Sequence, residues 1–561
     1  VRRPGGGPAL LFERVKGSRY PLAVNLLGSL RRIEIAFGRH PEEIGREFQR
    51  LGERLMPPTL GGILSEWRAL ARFRFMRPRR VGSPGLEEVA GGFAEMPVLK
   101  CWPGDAGRFL TFGLVVSANP RNRKQNLGVY RMQVLGPREV AMHWQIQKGG
   151  AAHAEATPGP IPVAIAVGAD PATMFAAVCP LPEDVDELHF AGLLRGASTR
   201  LARGETVPLD LPAEAEFLIE GRVDPARTVP EGPFGDHFGH YSHAAAFPVF
   251  SADRIRAKRD AISVASVVGK PPQEDRAIGD AINLIFTPVV RLLHPELVDM
   301  WSYYEAGFHN LLVVSVRQRY AKEGIKTALG LLGQGQLSLT KCVILVDADV
   351  NARSFPEVLR AIGRNFDPAE DLLVLHRTAL DTLDFTSMEM NLGSKCIVDA
   401  TSFPATGRPS ASPHPAMEPT TTGVLASRNW EGVLLAVNVG SAATRIPPGM
   451  AAPTPDAGAG RAALERLLAH PAAGNFKLIA AVSEDVKLDD DVSLLWGLFT
   501  RFDCARDLLF AKSHLRGAWP RFTGPVGIDA TFKKGYPDVV AMAPEVTERV
   551  AKRWPDYLIP S

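Results

Sequence analysis

Apolar residues in this chain recur with two different periods, and the dominant period changes with position. Up to about residue 95, short apolar runs (Ala9–Phe12, Ala23–Leu27) accompany Glu42–Leu55, whose apolar positions return every three to four residues. This predicts two short strands and an amphipathic helix in a small α/β unit. From 96 to 290 strand-like pieces dominate: Phe109–Val116, Val129–Leu135, Ile161–Val167, Glu216–Glu220 and Ala261–Val268. They are β-branched and bounded by Gly and Pro, so a β-rich barrel or curled sheet is expected. Ala172–Val178 follows Asp170-Pro171, a helix cap and a first-turn proline, and predicts a short helix. The basic run Arg72–Arg80 is expected to be a solvated connection.

Beyond residue 305 strand and helix alternate: Leu311–Val316, helix Lys322–Leu332, strand Cys342–Val346, then a helix around Pro356–Phe366. That is the pattern of helices on a mainly parallel sheet. The chain then repeats. At a constant offset of 136, Val346, Asp349, Val350, Leu359, Phe366, Asp367, Ala369, Asp371, Leu372 and Leu373 recur as the same residue types in Val482–Leu509. This is about a third of the window, against about one in fifteen from composition. Asp399-Ala-Thr401 recurs as Asp529-Ala-Thr531, with a weaker echo of Leu311–Val316 in Val433–Val439. The expected organisation is an α/β domain over 1–95, a β domain over 96–290, an α/β domain over 291–410 and a degenerate second copy over 411–561. Pro447–Gly460 reads as a flexible insertion.

The 561 residues carry 64 basic and 61 acidic side chains, a formal charge of +3, which argues against a nucleic-acid partner. No apolar run reaches the ~18 residues of a membrane span. Five scattered cysteines without a Cys-x-x-Cys pair predict a reducing, cytoplasmic setting and no structural zinc site.

Candidate chemistry gathers in three segments. In Glu231-Gly-Pro-Phe-Gly-Asp236-His237 a turn brings two carboxylates together, so one pKa is expected to rise and to make an acid active near neutrality. Arg131 is expected to hold the other carboxylate ionised. Asn126 and Glu187 offer hard oxygen ligands, suited to Mn²⁺ or Mg²⁺. His143-Trp-Gln-Ile-Gln-Lys148-Gly-Gly150 is a strand running into a glycine turn where backbone and lysine can meet a phosphate. His237 and His240 flank the acid turn without a triad's logic.

These segments resemble the UbiD family of prenylated-FMN-dependent decarboxylases. The likeness is carried by Gly6–Gly17, Asn126–Arg131, His143–Gly150, Val167–Thr173, Glu187–Arg195, Glu231–His237, Asp347–Ala352 and Gly393–Thr401, in the family's order. The resemblance implies an N-terminal α/β domain, a central split β-barrel that binds the flavin and a C-terminal α/β domain, here apparently duplicated. It implies a catalytic set of Arg131, Glu231 and Asp236, with Asp236 as proton donor. The implied flavin contacts are Val129, Tyr130, Arg131, His143, Trp144, Gln145, Lys148 and Gly149, and the implied metal ligands are Asn126, Glu187 and Gln147. Gln147 stands where many members have histidine, and the family's usual opening before Gly6 is missing, so a truncated start is expected. The implied cofactors are prenylated FMN and Mn²⁺, with K⁺ as a further ion. The implied partners are a small aromatic acid, a flavin prenyltransferase and further copies of the chain in a dimer or hexamer. No membrane span is expected, though peripheral membrane contact is compatible. The implied reaction is reversible decarboxylation of a quinone precursor, a dihydroxynaphthoate carboxylate or a 4-hydroxy-3-polyprenylbenzoate. The competing reading is a non-catalytic flavin-binding or assembly subunit.

Overall fold

The computed structural model describes residues 6–144, 159–182, 185–402, 424–440 and 458–557. It divides into two compact units. The first runs to Ile285 and regains the chain from Val539, and the second is Phe286–Asp538.

The first unit is built on a barrel. Its strands are β1 (Phe109–Ala118), β2 (Gln125–Val134), β3 (Glu139–Met142), β4 (Ile161–Val167), β5 (Phe217–Glu231) and β6 (Ala245–Ala257). The order β5-β4-β1-β2-β3-β6 closes through an antiparallel β5–β6 pairing. Closure leaves no free edge among these six strands. The interior is filled by inward side chains from all six, among them Val115, Met132, Val140, Ile165, Ile219 and Ile255. Each large apolar side chain buried this way contributes about 1.5–3 kcal/mol.

Periodicity found β1, β2, β4 and the first residues of β5, but neither the rest of β5 nor β6, the pair that closes the barrel. The predicted Glu216–Glu220 is the start of the 15-residue β5, which continues through charged and proline positions to Glu231. Strand β6 was not foreseen, because Ser251, Asp253, Arg254 and Arg256 interrupt its apolar pattern; tertiary pairing overrides that weak signal. Ala261–Val268 shrinks to Ser263–Ala265, which pairs in parallel with Leu22–Val24, outside the barrel. The helix expected at Glu42–Leu55 runs Pro41–Leu55, with the His40 side chain accepting from Glu42 N–H. The basic run is exposed at most of its arginines but is not wholly a loop. Phe73–Met76 forms a 3₁₀ turn, and Arg79–Arg80 pairs with Arg200–Leu201. Two helices follow β4: α1 (Pro171–Ala176), capped by Asp170, and α2 (Glu187–Arg195), capped by Asp186.

The second unit holds two five-stranded sheets. One comprises β7 (Leu297–Ser302), β8 (Leu311–Val316), β9 (Cys342–Asp347), β10 (Leu372–Ala379) and β11 (Leu392–Asp399), in the order β7-β8-β9-β11-β10. The other comprises β12 (Val424–Trp430), β13 (Leu434–Val439), β14 (Leu478–Ser483), β15 (Leu508–Arg516) and β16 (Trp519–Ala530), in the matching order β12-β13-β14-β16-β15. Strand directions match as well: the two edge pairings in each sheet are antiparallel and the two central ones parallel. Their contacts are reciprocal under the sequence offset. Lys341 lies over the Phe502 ring at 5.2 Å, and Lys477 Nζ donates to the Phe366 carbonyl at 2.9 Å. Residues 447–457 of the expected insertion lie outside the described residues, and its end begins the helix Ala459–Ala469.

Candidate active site

Arg131 sits on β2, Glu231 at the end of β5 and Asp236 in the turn that follows, so the barrel brings together groups about a hundred positions apart. The turn leaves β5 at Gly232, whose φ of +87° suits only glycine. It is then fastened from several sides. Gly232 N–H donates to Gln133 Oε1 at 2.9 Å, Phe234 N–H to Ser242 Oγ at 3.2 Å and Gly235 N–H to Asp105 Oδ1 at 2.8 Å. Asp236 N–H donates to the His240 carbonyl at 3.1 Å.

On this frame the Arg131 guanidinium grips both acids. Its Nε donates to Glu231 Oε1 at 2.8 Å and Nη2 to Glu231 Oε2 at 3.1 Å, while Nη1 donates to Asp236 Oδ2. Nη2 also reaches Ser242 Oγ at 3.0 Å, and the Phe234 ring lies 5.0 Å from the guanidinium carbon. Each acid meets an imidazole on its other side: His143 Nδ1 lies 2.9 Å from Glu231 Oε2, and His237 Nδ1 2.9 Å from Asp236 Oδ1. Arg131, Glu231, Asp236 and His143 are all buried.

The expected upward pKa shift does not occur in this network. Burial alone would raise Glu231, but the Arg131 charge and His143 overcome it and lower its pKa from 4.5 to about 2. Burial would likewise raise Asp236, but its bond to His237 and the Arg131 charge hold it well below the usual carboxylate range. The reason is geometric: the guanidinium lies between the acids, so neither repels the other unscreened. His143 is pushed down, by burial first and then by Arg131, and is therefore neutral. A neutral His143 donating from Nδ1 to Glu231 keeps a lone pair on Nε2.

That Nε2 and the neighbouring Trp144 Nε1–H are both buried without a hydrogen-bond partner among the described residues. Among the described residues His143 Nε2, on the ring that bonds Glu231, is thus an unsatisfied acceptor beside the acid network, and Trp144 Nε1–H an unsatisfied donor in the barrel core, each costly unless a partner completes it. A flavin ring system carries both donor and acceptor atoms, the two kinds of partner these groups lack. Tyr130 packs into the barrel core and Val129 is half-buried. Gln145, Gln147, Lys148 and Gly149 lie outside the described residues.

Of the metal candidates, Glu187 lies against the backbone at Leu127, the residue after Asn126. Glu187, in the first turn of α2, accepts from Leu127 N–H at 2.9 Å, which sets its carboxylate beside the Asn126–Leu127 stretch of β2. Burial pushes the Glu187 carboxyl up to about 7, despite that bond. An acid desolvated beside a half-buried amide is a suitable seat for a hard cation, whose charge would restore ionisation.

Sequence reasoning missed Ser242, Gln133 and Asp105, which position the turn, and did not connect His237 with Asp236. Only adjacency to the motif could have flagged His237; the other three come from distant segments with no local signature.

Three domain descriptions match the chain: 3-octaprenyl-4-hydroxybenzoate carboxy-lyase N-terminal domain (residues 1–51), Rift-related domain (85–271) and C-terminal domain (276–400). A relative from Archaeoglobus fulgidus is 42% identical over 71% of this chain and 83% of its own length. One from Chlamydia muridarum is 35% identical over 98% of this chain and 93% of its own. Both are described only as uncharacterized proteins. Among solved structures, vanillic acid decarboxylase from Sedimentibacter hydroxybenzoicus in closed form aligns with a TM-score of 0.63 and 24% identity, over 74% of this chain and 87% of that one. The UbiD-class enzyme HmfF from Pelotomaculum thermopropionicum, in complex with FMN, aligns at 0.59 and 23%, over 71% and 86%. The chain belongs to the UbiD family, whose members are prenylated-FMN-dependent carboxy-lyases. It is an enzyme of that decarboxylase class. The C-terminal domain match stops at residue 400, before the second five-stranded sheet, whereas the Chlamydia relative aligns over nearly the whole chain.

Proposed function

We propose that this chain catalyses the non-oxidative, reversible decarboxylation of an aromatic quinone-precursor acid, using prenylated FMN held in the barrel and a divalent metal, Mn²⁺, at Asn126 and Glu187. Dihydroxynaphthoate carboxylates and 4-hydroxy-3-polyprenylbenzoate are the substrate candidates. The observation that carries the reading is the buried Arg131–Glu231–Asp236 network, with the His143 ring, whose Nε2 has no partner among the described residues, bonded to it. When bound, the modified flavin supplies an electron sink for the charge left on carbon as CO₂ departs. The chain's residues orient the substrate and control the proton. Arg131 is the cation within the network for which an incoming carboxylate would compete. After CO₂ leaves, the ring carbon needs one proton, which Asp236 delivers. Asp236 is held ionised at rest, so it must first be charged with that proton. His237, bonded to its Oδ1 and reaching solvent with its half-buried ring, is the group placed to pass it in.

The second sheet carries no counterpart of the Glu231–Asp236 turn. We assign it a structural role as an internal copy of the first, with homo-oligomer contacts as its further use. No helix among the described residues is long and apolar enough to cross a membrane. The test is to co-express the chain with a flavin prenyltransferase, supply Mn²⁺, and measure cofactor mass, absorbance and CO₂ release across a panel of aromatic acids. Cofactor binding with CO₂ release from a naphthoate or hydroxybenzoate is the expected result. A well-folded protein that takes up no flavin would favour an assembly subunit instead.

A further inference from the structure

Three cysteines from distant parts of the second unit converge. Cys342 on β9 and Cys396 on β11 are register partners on neighbouring parallel strands, and Cys504 arrives on the turn after the helix Asp491–Phe499. All three sulfurs lie within 4.8 Å of one another, and the Cys342–Cys504 separation is 3.9 Å. Three sulfurs each about 2.3 Å from a single zinc ion would stand about 3.8–4.0 Å apart. The turn bearing Cys504 is fixed, not draped. Ser394 Oγ donates to Asp503 Oδ2 at 2.7 Å and accepts from Ala505 N–H at 2.8 Å, which pins the turn to β11 one residue before Lys395.

Two buried lysines flank the cluster. Lys341 and Lys395, the chain neighbours of Cys342 and Cys396, are both fully buried, as is Asp384. Lys341 Nζ pairs with Asp384 Oδ2 at 3.0 Å. Lys395 Nζ donates only to carbonyl oxygens, those of Ser338 at 2.8 Å and Thr340 at 2.7 Å, and meets no carboxylate within ion-pair distance among the described residues. Three thiolates around a divalent ion would carry one net negative charge, which buried ammonium groups beside them would offset.

We propose that Cys342, Cys396 and Cys504 supply three of the four ligands of one soft divalent cation, zinc, which staples the Cys504 turn to β9 and β11. It is separate from the hard-oxygen pair Asn126 and Glu187 and does not depend on the decarboxylase reading. The absence of Cys-x-x-Cys spacing hid it, because the ligands meet only through sheet register and a turn in the second lobe.

The test is metal analysis of the full chain, purified reduced, equilibrated with Zn²⁺ and gel-filtered. The expected result is about one zinc per chain in the wild type and in Glu187→Gln, falling to under about a tenth in Cys396→Ser. Cobalt loaded in place of zinc should give an intense thiolate-to-metal charge-transfer band in the wild type, a readout that needs no variant to fold. Three outcomes would overturn the site: zinc retained in a folded Cys396→Ser, cobalt bound without that band, or an intact mass showing a Cys342–Cys504 disulfide in place of bound metal.

Discussion

Strand β5 carries two arginine–acid–acid networks, one near each end, and they differ in what faces the acids. At its start, Arg256 of β6 pairs with Glu220 at 2.5 Å and with Glu205. The second oxygen of Glu220 is taken by the Thr206 N–H at 2.7 Å, the Thr206 hydroxyl and the Val207 N–H. Glu205 is a third exposed. At its end, Arg131 holds Glu231 and Asp236, both buried, and the groups completing these acids are the imidazoles of His143 and His237. A backbone amide can only pin a carboxylate, whereas an imidazole can exchange a proton with it. Burial and an ion pair do not by themselves mark an active site, and neither does an unsatisfied atom, since Arg256 Nε is also buried without a partner among the described residues; the proton-carrying neighbours are what set the Arg131 network apart.

The sharpest way to break this comparison is to neutralise one acid in each network. Asp236→Asn should lower turnover by about 10²–10⁴-fold, the usual worth of a positioned general acid, while flavin binding is retained. Glu220→Gln should leave turnover within about threefold, because it lies away from the turn. Single-turnover CO₂ release alongside cofactor absorbance would check both. Equal losses in the two variants would mean that the Glu231–Asp236 end has no special role.

Removing the cations should separate the networks by stability. Arg131→Met strands two buried carboxylates and should cost about 3–5 kcal/mol, with loss of turnover. Arg256→Met should cost about 1–3 kcal/mol, since Glu205 can turn to water and Glu220 keeps its amide donors. Urea unfolding of the first unit, followed by a barrel-specific probe, is the measurement.

How far these differences were legible in the sequence follows from where the partners lie. The Glu231–Asp236 turn and Asn126–Arg131 each sit in one contiguous segment, so these residues could be singled out directly. The acid-active pKa was misjudged because two nearby carboxylates in sequence say nothing of a guanidinium between them in space. The Glu220 network joins three segments and showed no pattern at all. The closing strand β6 was hidden by its charged positions, one of which, Arg256, is the buried cation of that network. The two-sheet arrangement of the second unit was legible because the offset of 136 preserved buried positions such as Val346 and Val482, along with a cap residue, Asp367, whose counterpart Asp503 also accepts from the amide two residues on.

Acid titration sharpens the contrast further. A carboxylate whose folded pKa lies below its unfolded value contributes stability above the unfolded value and loses it as pH falls through the folded one. Glu231, lowered from 4.5 to about 2, should therefore give the barrel an acid limb across that interval, worth on the order of 3 kcal/mol. Asp236 shifts the same way and should extend the limb downward. In Arg131→Met the limb should flatten, because both acids lose the charge that depressed them. Unfolding midpoints taken at pH values from about 6 down to about 2 would show it.

Glu187 should behave with the opposite sign, and the contrast with Glu231 lies again in the neighbours. Among the described residues it accepts only from backbone amides and pairs with no cation, so burial raises its folded pKa from 4.5 to about 7. Its contribution is then fully present below the unfolded value and is lost as pH rises through about 7, because ionising it inside the fold is unfavourable. A divalent cation at Asn126 and Glu187 would reverse this by favouring the ionised form. Added Mn²⁺ should thus raise the melting temperature more at pH 8 than at pH 6, with up to about 2.7 kcal/mol at a hundredfold excess over its Kd. In Glu187→Gln the metal-dependent increment and its pH dependence should both vanish, while the Arg131 network and its acid limb persist. A manganese increment that survives Glu187→Gln unchanged would move the cation elsewhere and remove Glu187 from the site.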